Sequence, residues 1–303
     1  MKQVQSDKKI FYKKLISTLS DSYVGDFVYS FESGFQVHTH NRTDVALQYF
    51  LGLLRMEKGH GNMERMEEEI PESEYRAYQH FLSVSNWKHQ DIIDKVAMET
   101  SLIMESEKVR HGQATGLIID ESAHLKKGDK SVGVGKQYAG VIGKVENCQV
   151  GVYASLVNDP RATLVGEEIF LPESWVKDED RCKSAGIPES KRVYKTKPAL
   201  ALDIIDRLIE HGIKFDWVGG DGLYGHTSQF RQGLEQRGLF FVLDVHKDER
   251  VFFEKSVYAI PEAKSARGRR PTHQKPDIDP VRLDKYFKRI ANDKAREANK
   301  KRT

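Results

Sequence analysis

The sequence predicts a mixed α/β fold: three antiparallel strands, then alternating helix and strand, preceded by an all-helical region. Three observations predict it. Apolar residues recur at helical spacing up to about residue 112 and then switch to strand-like runs punctuated by glycine turns. Beyond residue 196, helical stretches with defined stops alternate with short apolar runs. Two of the runs, Leu117-Ile118-Ile119 and Trp217-Val218-Gly219-Gly220, each lead directly into an aspartate, Asp120 and Asp221. Strand ends are where mixed sheets place their chemistry, because they are rigid and open onto a crevice.

Taken in order, the helical region opens with Thr43-Asp44, which can cap a helix carrying Val45, Leu47, Phe50, Leu51 and Leu54. Gly59-His60-Gly61 breaks it, a short acidic helix starts at Asn62, and Pro71-Glu72-Ser73 restarts the chain as a helix with Tyr75, Tyr78, Phe81 and Leu82. A longer helix over 87–109 has Ile92, Ile93, Val96, Ile103 and Met104 on its apolar side. Arg55, Lys58, Lys88 and His89 fit phosphate contacts of a DNA-binding bundle, and a solvated face equally well.

The sheet begins with strand 1 at 117–120. A second strand is expected at 138–145, turned by Glu146-Asn147 into a third at 149–157, where Val150, Val152, Ala154 and Leu156 alternate with Gly151, Tyr153 and Ser155. Gly133-x-Gly135 is not a dinucleotide fingerprint, since no helix opens after it; close strand approach or room for a substrate backbone suits it better. Residues 158–196 read as irregular, with one strand-like run at Ile169-Phe170-Leu171. Thr196 caps a helix reaching about His211, with Pro198 in its first turn and Gly212 as its stop. Strand 4 delivers Asp221, a helix over 227–237 ends at Gly238, and strand 5 covers 239–243. A mixed sheet in this order, with the first strand beside the fourth, is ribonuclease H-like, and that adjacency makes neighbours of Asp120 and Asp221. The expected division is a helical, DNA-binding part over 1–112, a catalytic sheet over 113–250 and a basic tail over 251–303.

Composition sets the outer bounds. With 303 residues, 39% apolar and 31% charged, the chain has room for a real core and the polarity of a soluble protein. No window approaches the apolar length of a membrane span or a signal peptide. Cys148 and Cys182 are too few for a disulfide framework or a multi-cysteine zinc site, which fits reduced thiols in the cytoplasm. The net charge of +3 hides an asymmetry: from Lys255 onward there are 15 Lys and Arg against 6 Asp and Glu. Charge alone fits a nucleic-acid partner and a solvated tail about equally.

Two carboxylates at adjacent strand ends suit Mg²⁺ or Mn²⁺, hard cations that prefer oxygen. Such a site activates a water or a 3′-hydroxyl for attack on a phosphodiester. Taken singly, each aspartate reads first as a helix or turn cap; two of them on these strands shift the balance toward a metal site. Near the first acid, Lys126, Lys127, Lys130 and Lys136 can hold a DNA backbone, giving affinity without sequence choice. His124 reads as a substrate-facing or surface group, His38-x-His40 as a solvated loop, and Tyr138 and Tyr224 as packing rather than base-stacking residues.

The stretch Asp120-Glu121-Ser122-Ala123-His124-Leu125-Lys126-Lys127-Gly128-Asp129 through Tyr138, with Glu146-Asn147-Cys148-Gln149-Val150, resembles bacterial insertion-sequence transposases of the DDE superfamily, nearest the insertion sequence 701 type. Leu171-Pro172-Glu173-Ser174-Trp175, Ala185-Gly186-Ile187-Pro188, Thr196-Lys197-Pro198 and Gly220-Asp221-Gly222-Leu223-Tyr224-Gly225 extend the resemblance over about residues 40–250. It implies that Asp120 and Asp221 are the first two acids of a catalytic triad binding Mg²⁺ or Mn²⁺. It further implies that the helical region helps bind terminal repeats of double-stranded DNA, and that a homodimer holds two element ends. The family's third acid, a Glu on a helix well after strand 5, has no counterpart: Glu254 lies too close and Glu297 sits in a lysine-rich stretch. The resemblance therefore leads us to expect a truncated or frameshifted reading frame. The alternatives are a remnant that binds DNA without cutting it, and a stand-alone ribonuclease H-like nuclease.

Overall fold

The computed structural model describes residues 23–56, 62–262 and 271–290. The expected break at Gly59-His60-Gly61, the Lys58 contact, the basic run Ala266–Arg270 and Glu297 lie outside the described residues. Two compact units are present. One holds the described residues up to Ser106 together with Leu208–Ile213, and the other holds Glu107–Arg207 and the described residues from Lys214 on.

The first unit is helical: α1 (Tyr23–Tyr29), α2 (Glu32–Phe35), a small hairpin of β1 (Gln36–Val37) and β2 (His40–Asn41), α3 (Thr43–Arg55), α4 (Met63–Glu69), α5 (Tyr75–Ser83) and α6 (His89–His111) as far as Ser106, its last turn belonging to the second unit. Thr43 is the first residue of α3 and not its cap; the Asn41 side chain takes the Thr43 N–H at 2.8 Å. Asn62 caps α4 through the Arg65 N–H, also at 2.8 Å. Val28, Leu47, Leu51 and Ile70 form the core, and Phe81 stacks on Trp87 at 5.4 Å beside Phe35. On α6 the buried positions are Ala97, Thr100, Ser101, Met104 and Glu107, so the helical period turns Ile103 outward, 52% exposed.

The second unit is built on a six-stranded mixed sheet. Its strands are β3 (Gly116–Leu125), β4 (Gly135–Ala139), β5 (Lys144–Asn158), β6 (Arg161–Ile169), β7 (Trp217–Gly220) and β8 (Phe241–Leu243). The order runs β4, β5, β3, β7, β8, with β6 also on β5. β3, β5 and β6 are antiparallel, and β7 and β8 are parallel to β3. This is the ribonuclease H-like arrangement that the sequence order implied.

Three expectations change. β5 runs 15 residues straight through Glu146-Asn147, with no turn there. The reversal falls earlier, at Gly140–Ile142, where Gly143 supplies the left-handed φ of 65°. The span expected to be irregular contains β6, a nine-residue strand, because Val165 and Gly166 face the core where β5 needs a partner. Finally, β3 does not stop at Asp120. It continues to Leu125, since β5 pairs with it as far as Cys148.

Between β6 and β7 come α7 (Glu173–Val176), α8 (Glu179–Ser184) and α9 (Lys197–Glu210). Thr196 Oγ1 accepts the Ala199 N–H at 3.3 Å, and Gly212 takes the left-handed conformation after the helix, as expected. Then follow α10 (Gly222–His226) and α11 (Ser228–Gln236) around β7 and β8. Beyond them lie short pairs, β9 (Arg250–Val251) with β12 (Val281–Arg282) and β10 (Tyr258–Ala259) with β11 (Lys275–Pro276), and a helical stretch at 283–290.

Candidate metal and nucleic-acid site

The parallel pairing of β3 and β7 sets the site. Leu117 pairs with Val218, Ile118 with Gly219 and Ile119 with Gly220. One residue further on, that register brings Asp120 and Asp221 to corresponding positions on adjacent strands, whose spacing is about 4.8 Å. Asp221 remains extended at φ −77° and ψ −173°, so the strand direction persists to it. Five residues earlier the register is locked by Asp216. Its N–H donates to the Thr115 carbonyl at 2.7 Å, and its Oδ2 accepts the Thr115 N–H at 2.8 Å. Lys108 caps the same carboxylate and holds it below the usual carboxylate range.

Both acids are exposed and both are oriented by main chain. Asp120 Oδ1 accepts the Glu121 N–H at 2.8 Å, and Asp221 Oδ1 accepts the Leu223 N–H at 2.9 Å as the cap of α10. The capping role weighed from sequence is thus real for Asp221. It leaves Oδ2 of each carboxylate to offer a cation, and two hard oxygen donors on neighbouring strands fit Mg²⁺, which keeps waters and takes its other ligands from substrate phosphate. Among the described residues, no group of three or more His, Cys, Asp or Glu side chains is gathered as a metal cage.

Behind the acids sits a cluster that sequence reasoning missed. Strand alternation turns Glu121 to the face opposite Asp120, where its Oε1 takes a 3.0 Å ion pair from Lys197 on α9 and its Oε2 is buried. Tyr224 on α10 is fully buried, so its expected packing role holds. Burial raises its phenol, and the charges of Glu121, Asp120 and Asp221 raise it further. The hydroxyl and Glu121 Oε2 lie near one another without meeting full hydrogen-bond geometry. Tyr224, Glu121, Asp120 and Asp221 thereby share one electrostatic environment, with Lys197 paired to Glu121. Lys197 and Tyr224 lay in quoted motifs, but nothing in those motifs tied them to Glu121.

The four lysines differ. Lys127 and Lys130 are exposed on the loop after β3, and Lys126 is half-buried. Lys136 on β4 is paired with Glu146 at 2.8 Å, which pulls that carboxylate down to about 2. His124 meets the Tyr153 hydroxyl at 3.0 Å and stands in β3, outside the seam. Gly133 adopts a φ of +72°, and a Cβ there would lie 2.6 Å from the Phe170 carbonyl, so close backbone approach explains it; Gly135 has open space. Tyr138 is 62% exposed and does not pack, and His40 belongs to β2 rather than to a loop.

The comparisons with known proteins give the family. The family model described as "DDE superfamily endonuclease" matches residues 30–302. A "Probable transposase for insertion sequence element IS701" from Microchaete diplosiphon is 30% identical over 173 residues, 57% of this chain. The chain spans 41% of that relative's length. Among solved structures, "Drosophila P element transposase strand transfer complex" aligns over 75% of this chain and 42% of its own. At 12% identity and a TM-score of 0.32, that likeness carries no argument about fold. No helix among the described residues is long and apolar enough to cross a membrane. With a family model spanning most of its length, the chain belongs to the DDE superfamily of endonucleases and counts an insertion-sequence transposase among its relatives.

Proposed function

We propose that this chain binds double-stranded DNA at the ends of a mobile element and takes part in metal-dependent cleavage and transfer of its strands. The supporting observation is the β3–β7 register, which carries two exposed carboxylates to neighbouring positions. Asp120 and Asp221 hold Mg²⁺ or Mn²⁺. When bound, the cation neutralises phosphodiester charge and makes a water or 3′-hydroxyl a better nucleophile. The chain's own residues orient and bind. The main-chain N–H groups of Glu121 and Leu223 fix the two carboxylates, and Lys126, Lys127 and Lys130 steady the DNA backbone. Lys136 contributes less, because Glu146 already neutralises it. The helical unit recognises the terminal repeats, and a homodimer holds the two element ends together in the nucleoid.

The test is a nicking assay on supercoiled plasmid carrying terminal repeats, with Mg²⁺, Mn²⁺ or EDTA. Nicking with either metal, lost in Asp120→Asn and Asp221→Asn, supports the reading. Equal nicking by either variant overturns it. DNA binding without nicking under any metal supports a non-catalytic binder instead.

A further inference from the structure

Three glycines surround Asp221: Gly220 packs against the last residue of β8, and Gly222 and Gly225 receive the segment that follows it. A Cβ at Gly220 would lie 3.2 Å from Leu243 Cδ2, and one at Gly225 would fall 1.7 Å from the Asp244 carbonyl oxygen. At Gly222, next to Asp221, a Cβ would lie 2.9 Å from Cδ2 and 3.0 Å from Nε2 of His246. The segment is strapped down at several points. The Asp244 N–H donates to the Gly220 carbonyl at 3.0 Å, Glu249 N–H to the His246 carbonyl at 2.9 Å, and Glu249 Oε2 meets His226 Nδ1 at 2.7 Å. The His226 and His246 rings lie 5.3 Å apart. His226 is therefore occupied by Glu249. The His246 ring is exposed, seated on the Asp221 turn, and among the described residues neither of its nitrogens has a hydrogen-bond partner. A held imidazole with free nitrogens, seated on the residue after Asp221, has the chemistry of a phosphate contact.

We propose that His246 binds a phosphate of the DNA strand held at Asp120 and Asp221, and that Gly222 is glycine to seat its ring. This rests on the function proposed above. The test measures binding of a fluorescein-labelled repeat-end duplex and nicking of plasmid by the full chain. Compared are wild type, His246→Ala, His246→Gln, Gly222→Ala and Asp221→Asn. His246→Ala should weaken binding and slow nicking about tenfold each, the size of a lost charge-assisted hydrogen bond. Gln, which also presents an N–H, should recover most of this, and Gly222→Ala should behave like His246→Ala by displacing the ring. A scan with single neutral methylphosphonates should find one position that weakens wild type and leaves His246→Ala unchanged. That position separates a phosphate contact from a structural role. If His246→Ala binds and nicks like wild type while Asp221→Asn does not nick, the proposal falls and the function stands. If Asp221→Asn nicks normally, the function falls, and the methylphosphonate scan on binding alone decides for or against His246.

Discussion

At the β3–β7 seam the charged groups are held by main chain, whereas along β4 and the loop before it they stand on exposed side chains. Asp120 and Asp221 each accept a backbone N–H, and the register beneath them is pinned through Asp216 and Thr115. Lys127 and Lys130 have no such anchoring, and Lys136 is tied to Glu146. The difference teaches where precision is needed. A cation shared by two oxygens tolerates displacements of only a few tenths of an ångström, while a phosphate backbone is attracted by charge at any orientation. The flexible side still rests on a packed base: Trp175, fully buried, donates Nε1–H to the Val134 carbonyl at 2.7 Å just before β4.

The largest effect that would break this contrast is at the seam. Asp120→Asn and Asp221→Asn keep the side-chain oxygen that accepts the backbone N–H, and Asn caps helices as well as Asp. They should therefore fold normally and lose more than about a hundredfold in metal-dependent nicking, since only the charge is removed. Unfolding of either variant in thermal melts would show that the seam depends on charge and not on main chain.

Next comes Trp175→Ala, which should cost about 3–5 kcal/mol in denaturant unfolding by emptying the cluster of Val134, Leu171, Cys182 and Ile187. A cost under about 1 kcal/mol would mean that the β4 side has no packed base.

A smaller loss, about 1 kcal/mol, is expected for Asp216→Ala, which removes an acceptor for the Thr115 N–H. Lys108 and the Thr115 N–H lower the Asp216 carboxyl, so its contribution is present above the ordinary carboxylate value and lost as pH falls through its depressed one. Stability measured from neutral to acid pH should show that extra slope in wild type and not in Asp216→Ala.

The smallest effects lie on the lysines. Removing Lys127 or Lys130 should lower the salt dependence of DNA binding by about one counterion each. Lys136→Ala should change it less, and Glu146→Gln should raise it by freeing Lys136. Because Glu146 titrates near 2, falling pH should leave the pair intact until then. Equal slopes for all four variants would erase the contrast between free and paired lysines.

Local pattern determined much of this. Capping and stop residues fixed α9 and α11 to within a residue or two, and apolar runs ending in aspartate located β3 and β7. The 3.6-residue period located α6, though it misassigned Ile103. β6 was hidden because Asn158-Asp159-Pro160 stands directly before it and Gly166, Glu167 and Glu168 interrupt its apolar residues, and only pairing with β5 makes it a strand. The same pairing carried β3 past Asp120 and absorbed Glu146-Asn147 into β5.

By itself, then, the sequence determined most of the helices, that two aspartates follow apolar runs, and the family, because these depend on neighbours along the chain. Only the tertiary structure decided that Lys197, Glu121 and Tyr224 gather behind those acids, and that the glycines around Asp221 receive the segment bearing His246. Such contacts join residues distant in sequence, and their geometry is set by strand register and alternation across the sheet, which no single stretch encodes.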